Sequence, residues 1–158
     1  MSNTAFIGID PGASGGISMV TPDGLWDASK YPKDREPSMV AALFNKYTNN
    51  AHIEGYVCRV YIELVHAMPT DGRSSAFKFG MNYGIWFGVM ANNSIRSDNI
   101  IKVSPQKWQS IYGDLPKERK LRKNKLKEIA AGIIDNQFKP TLMTSDAILI
   151  ANYGRMSE

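Results

Sequence analysis

Residues 5–20 read AFIGIDPGASGGISMV, Ala5 to Val20. An apolar, strand-like run ends in one acid, Asp10, and Pro11, Gly12, Ala13, Ser14, Gly15 and Gly16 follow at once. The apolar residues over 5–10 predict a strand that Pro11 and Gly12 stop. Residues 16–21 predict a second strand, Pro22-Asp23-Gly24 a tight antiparallel reversal, and 25–31 a third strand. An acid at the tip of a buried strand beside a glycine-rich turn has two chemical readings. It is a metal-binding carboxylate, or the turn is a loop that cradles phosphate.

Beyond a Pro- and charge-rich loop at 32–37, SMVAALFNKYTNN (38–50) has Met39, Leu43, Phe44 and Tyr47 at helical spacing behind a Ser38 cap. Residues 56–65 are β-branched and mostly apolar, and predict a central fourth strand with Glu63 near its tip. After the loop HAMPTDG, residues 74–92 predict a long helix. Its Gly80, Gly84 and Gly88 lie four apart on one face, a spacing that marks close backbone approach to another element. A fifth strand at 100–103 is stopped by Ser104-Pro105, and a short helix at 106–112 follows. A basic helix at 117–135 and a last helix at 145–153, capped by Ser145 and opening with Asp146, complete the chain. The expected fold class is α/β: one domain over 1–158, a five-stranded mixed sheet of three antiparallel strands plus two parallel, flanked by helices.

Bulk properties narrow the partners. At 158 residues with 43% hydrophobic and 22% charged residues, the chain has the make-up of a soluble domain with a proper core. Cys58 is the single cysteine, so no internal disulfide forms; it reads as core filler in a reducing compartment, the cytoplasm or a host's cytoplasm. No apolar run reaches about 18 residues, which argues against a membrane span, and MSNTAF lacks the features of a secretory signal. Net charge is +4, and its distribution is uneven. The segment 117–127, KERKLRKNKLK, holds seven basic residues against one glutamate, so the remainder of the chain is net negative. Such a concentration is either a solvated helix face or the footprint of a polyanion such as DNA.

Three acids share one description. With the first and fourth strands as neighbours, Asp10 and Glu63 lie side by side, and Asp146 at the start of a helix on that sheet completes a cluster. Hard divalent cations take oxygen ligands of this kind. Two such ions about 3.5–4 Å apart activate water and stabilise the leaving oxygen of a phosphodiester. Without metal, carboxylates this close repel, and at least one has a raised pKa. Singly, each has a plainer reading: Asp10 as a turn cap, Glu63 as an exposed strand end, Asp146 as a helix-dipole partner. Jointly they favour the metal site.

The motifs also carry a resemblance. FIGIDPGASGGIS resembles the first motif of the RuvC-type Holliday junction resolvases, and YIELVHAMPTDGRSSAFKFGMNYGIWFGVM their second acidic strand and long helix, in the manner of phage members. KVSPQKWQ resembles their fifth strand and the segment after it, and SDAILIANYG their C-terminal acidic helix. The resemblance spans most of the chain in order. It implies an RNase H-like fold and a homodimer cutting opposing strands of branched DNA with Mg²⁺, or Mn²⁺ in its place, on Asp10, Glu63 and Asp146. One position and one loop region depart from the family. Met143 stands where members commonly carry an acid or histidine, and His66, Ala67 and Met68 stand where cellular members carry an aromatic wedge. His66 is then a candidate for stacking on a junction base or for helping to activate water. The candidate DNA contacts are Arg73, Ser74 and Lys78, Lys107, and from the basic helix Lys117, Arg119, Lys120, Arg122, Lys123, Lys125 and Lys127. Trp86, Phe87, Trp108 and Tyr112 read as core.

Two other readings compete. Gly8 to Ser14, G-x-D-x-G-x-S, also resembles the first phosphate hairpin of the actin-like ATPases and sugar kinases. Those need two related lobes in a chain commonly more than twice as long, and neither a second phosphate motif nor a G-x-x-x-x-G-K-[ST] loop is present. A non-catalytic junction-binding protein on the same fold is the other, motivated by Met143.

Overall fold

A computed structural model describes residues 3–64, 66 and 69–158. Its sheet is built from β1 (Thr4–Asp10), β2 (Gly16–Val20), β3 (Trp26–Lys30), β4 (Val57–Glu63) and β5 (Ile100–Val103). The spatial order is β3-β2-β1-β4-β5. The first three strands are antiparallel neighbours, while β1–β4 and β4–β5 are parallel. This is the expected α/β sheet, with β1 and β4 side by side at its centre. Helices α1 (Pro37–Ile53) and α2 (Arg73–Asn92) connect the strands, and α3 (Pro105–Gln109), α4 (Arg119–Ile133) and α5 (Ser145–Ser157) come after β5.

The two-residue strand period sorts the core into two layers. Ala5, Ile7 and Ile9 of β1 and Cys58, Val60 and Ile62 of β4 pack with Val40, Phe44 and Tyr47 of α1 and Trp86, Val89 and Met90 of α2. The alternate residues Phe6 and Tyr61 face the other way, into a second cluster with α5, which Leu126 and Ala130 of α4 also join. Helix α5 is buried from Ser145 to Gly154, the all-round burial of a helix in the middle of a layer. It lies so close to β1 that a Cβ on Gly8 would stand 2.2 Å from the Ala147 carbonyl oxygen and 2.4 Å from the Ala151 nitrogen. Only hydrogen fits at that position.

Several sequence-based boundaries shift for local reasons. Ser38 does not cap α1: Pro37 takes the first helical position, where its missing N–H costs nothing, and Glu36 precedes it without a side-chain bond. Ser145 does not cap α5 either; its hydroxyl donates to the Thr141 carbonyl, and Thr144 is the cap residue. β3 begins after the 60% exposed Leu25, whose N–H donates to Thr21 Oγ1 at 2.9 Å. β4 ends at Glu63, and Leu64 donates to the Val103 carbonyl at 2.7 Å; Val65, given to this strand by its sequence, lies outside the described residues. The short helix after β5 is α3 followed by a 3₁₀ turn at Ser110–Tyr112, and α4 stops before the left-handed Asp135 and Asn136. Gly80, Gly84 and Gly88 face open space, so the close approach their spacing predicts is not made among the described residues. The described residues contain no helix long and apolar enough to cross a membrane.

Candidate active site

The strand pleat delivers two of the three acids. Ile9 pairs with Ile62, and Asp10 and Glu63 are the next residues on their strands. Each is two residues beyond one that faces α5, Gly8 and Tyr61 respectively, so both side chains continue onto the α5 face. Asp146, one residue before the helix segment that Gly8 admits, meets them there. Asp10, Glu63 and Asp146 line one pocket of about 410 Å³ with Gly12, Ser14, Phe79, Arg119, Lys123, Leu142 and Met143.

Each carboxylate is held differently. Asp10 Oδ1 accepts from the Gly12 N–H at 3.0 Å, an Asx turn. Gly15 backs this arrangement: a Cβ there would stand 2.3 Å from the Asp10 carbonyl oxygen and 2.5 Å from its carboxyl carbon. Glu63 Oε2 accepts from the indole N–H of the fully buried Trp108 at 2.7 Å. Asp146 Oδ2 is ion-paired with the Lys123 ammonium, whereas Asp146 Oδ1 is buried with no hydrogen-bond partner among the described residues. Burial first, then the Asp146 charge, pushes Asp10 up to about 6. Burial and the Asp10 charge push Glu63 up to about 7, against the Trp108 bond. The pocket therefore carries more negative charge than its walls neutralise.

That donor set fits hard divalent cations: three carboxylates, two held off full ionisation by burial and a neighbouring carboxylate, and one bare buried oxygen. Among the described residues the acids do not yet close into a ready-made group of metal ligands, and an ammonium stands on one of them.

The sequence-derived DNA contacts fall into three sets. Arg119 and Lys123 line the pocket itself. His66, Arg73, Ser74, Lys78, Lys107, Lys117, Lys120, Lys125 and Lys127 are exposed, Lys125 with an ion pair to Glu128 at 3.6 Å. Arg122 turns back on the chain, its Nη1 donating to the Lys117 carbonyl at 3.0 Å. Ala67 and Met68, beside His66 in the wedge region, lie outside the described residues. Trp86 and Trp108 are fully buried, and Phe87 and Tyr112 pack against the core. Sequence reasoning missed two wall residues and one buried residue that holds a wall carboxylate. Trp108 read as core only, although its place just after β5, beside β4, brings it within reach of the Glu63 tip. Phe79, 41% exposed, and Leu142, 47% exposed, form apolar parts of the wall and carry no sequence signal of that role.

No protein-family model matches the chain, and no curated protein sequence matches it significantly. Solved structures do. The RuvC of Thermus thermophilus in complex with a Holliday junction substrate aligns over 97% of this chain and 96% of its own, at 15% identity and a TM-score of 0.61. A second Thermus thermophilus RuvC structure aligns over 97% and 96%, at 17% identity and a TM-score of 0.59. The chain therefore has a RuvC-like α/β fold.

Proposed function

We propose that this chain is a metal-dependent, structure-selective endonuclease that resolves Holliday junctions and cuts other branched DNA by paired phosphodiester hydrolysis. The observation that carries this reading is the convergence of Asp10, Glu63 and Asp146 in a pocket with Arg119 and Lys123 on its wall and Asp146 Oδ1 left bare. The RuvC-like fold supports it, as does the junction substrate bound by the Thermus protein. The phage-like cast of the second motif goes with a viral source.

Asp10, Glu63 and Asp146 would hold Mg²⁺ or Mn²⁺, which supplies activation of water and stabilisation of a leaving oxygen. The remaining tasks belong to the chain. The Gly12 N–H and the Trp108 indole aim two carboxylates, and Arg119 offers a planar cation to a phosphate at the mouth. Phe79, Leu142 and Met143 leave the phosphate few competing waters. In the reaction the water oxygen bonds to phosphorus as the bond to the 3′ oxygen breaks, leaving a 5′-phosphate and a 3′-hydroxyl. Paired cuts need two sites, and the open face of α2 with Gly80, Gly84 and Gly88 suits a second copy of the chain.

A four-way junction and a linear duplex of matched sequence, each end-labelled, test the reading with wild type and Asp10→Asn in Mg²⁺ or EDTA. Expected are symmetric nicks near the branch from wild type in Mg²⁺ alone, and junction binding without nicks from Asp10→Asn. Met143 in the pocket wall, where the family commonly has a ligand, favours a second reading as a branched-DNA binder. Tight binding by wild type with no nicks in either metal would select it.

A further inference from the structure

Of the seven basic residues in 117–127, Lys123 is the one whose ammonium lies against a carboxylate of the pocket. Its side chain is 35% exposed and its partner Asp146 8% exposed, so the contact is partly desolvated. Burial works against the Lys123 charge, yet Asp146, with Asp10 and Glu63 behind it, raises its pKa overall. The other Asp146 oxygen has no hydrogen-bond partner among the described residues. A single positive charge thus stands where the donor set calls for more positive charge and more bonds than one ammonium supplies.

We propose that Lys123 is the resident counter-ion of the site: it holds the carboxylates together in the metal-free protein and surrenders Asp146 when a divalent cation binds. The role rests on the metal-site reading above. A lysine suits it, since its ammonium is a point charge on a flexible four-carbon stem that can leave without rearranging the backbone. An ammonium and a divalent ion on the same Asp146 carboxylate repel each other, and the ion with twice the charge displaces the other. Metal binding therefore frees the ammonium into the pocket, close to Arg119 one helical turn away. Within the pocket, the cationic wall that meets a phosphate is then complete only after metal is loaded.

Lysine acetylation at limiting reagent, read residue by residue by mass spectrometry, tests this on the wild-type protein in EDTA and in Mg²⁺ at calorimetric saturation. Lys123 is expected to react several-fold faster with metal bound, while the exposed Lys120 and Lys127 keep their rates. Lys123→Met is expected to bind Mn²⁺ on the order of tenfold more tightly by calorimetry. Unchanged Lys123 reactivity with metal demonstrably bound overturns the counter-ion role and leaves the metal site standing. Wild-type Mn²⁺ affinity in a folded Lys123→Met also overturns it. Absence of any Mg²⁺ or Mn²⁺ binding by wild type overturns the metal-site reading and this role with it.

Discussion

One indole N–H, from Trp108 to Glu63 Oε2 at 2.7 Å, aims the second carboxylate of the pocket. Trp108→Phe keeps an aromatic ring in the core and removes the donor. Burial and Asp10 already raise the Glu63 pKa, and the Trp108 bond opposes them, so losing it raises the value further. Junction cleavage by Trp108→Phe is expected to fall about tenfold at neutral pH and to recover partly at higher pH. An unshifted rate–pH profile would reduce Trp108 to packing. Asp10 and Glu63 also make metal-free stability depend on pH. Their folded values of about 6 and about 7 lie above the ordinary 3.8 and 4.5, so the folded chain binds more protons than the unfolded chain between those limits. The stability these two groups contribute is full below about pH 4 and is lost as pH rises to about 7. In EDTA, Asp10→Asn should match wild type near pH 4 and exceed it by pH 7, by on the order of 2 kcal/mol. Thermal melts showing a constant difference across that range would contradict the assignment. At this scale the three acids were legible because each sits at the tip or start of an element. The Trp108 contact was not, since a tryptophan that fills a core and one that also orients a carboxylate look the same in sequence.

Helix α2 shows how a correct pattern acquires a different meaning once its surroundings are known. Its buried residues Asn82, Trp86, Val89 and Met90 turn toward the sheet and α1, which leaves the glycine row on the outside. Spacing alone specifies a face suited to close approach; it does not say whether the approaching element belongs to the same chain. Gly84→Leu meets no neighbour within 4 Å, and replacing a helical glycine gains up to about 1 kcal/mol. If the proposed dimer forms on this face, the variant is expected to melt at or above the wild-type temperature and to run as a monomer in light scattering, with wild type as a dimer. Loss of the fold, or an intact dimer, would each contradict this. Strand order was legible for a related reason: the Pro22-Asp23-Gly24 reversal and the long crossovers around β4 leave few arrangements open. Helix caps were less so, because Ser38 and Ser145 compete with Pro37 and Thr144 and local geometry decides between them.

Over the whole molecule, charge runs outward from the pocket along one helix. Arg119 and Lys123 reach the pocket wall, and Lys120 and Lys127 continue the stripe at spacings of three and four residues from Lys123. Lys120→Gln with Lys127→Gln should weaken junction and duplex binding alike. The same pair should make the dependence of log affinity on log salt shallower, by up to about 0.9 for each phosphate no longer neutralised. An unaltered salt slope would place DNA elsewhere. The two ends of the pocket are also linked mechanically. Helix α5 carries Asp146, and its Leu149 carbonyl accepts from the Tyr112 hydroxyl at 2.6 Å. Tyr112 packs edge-on against Trp108 at 6.3 Å, and Trp108 holds Glu63. Gly8 sets the height of α5 above the sheet through backbone contacts alone. A single methyl group at that position would therefore act as a wedge under a lever, tilting Asp146 directly and Glu63 through two aromatic rings, while touching neither.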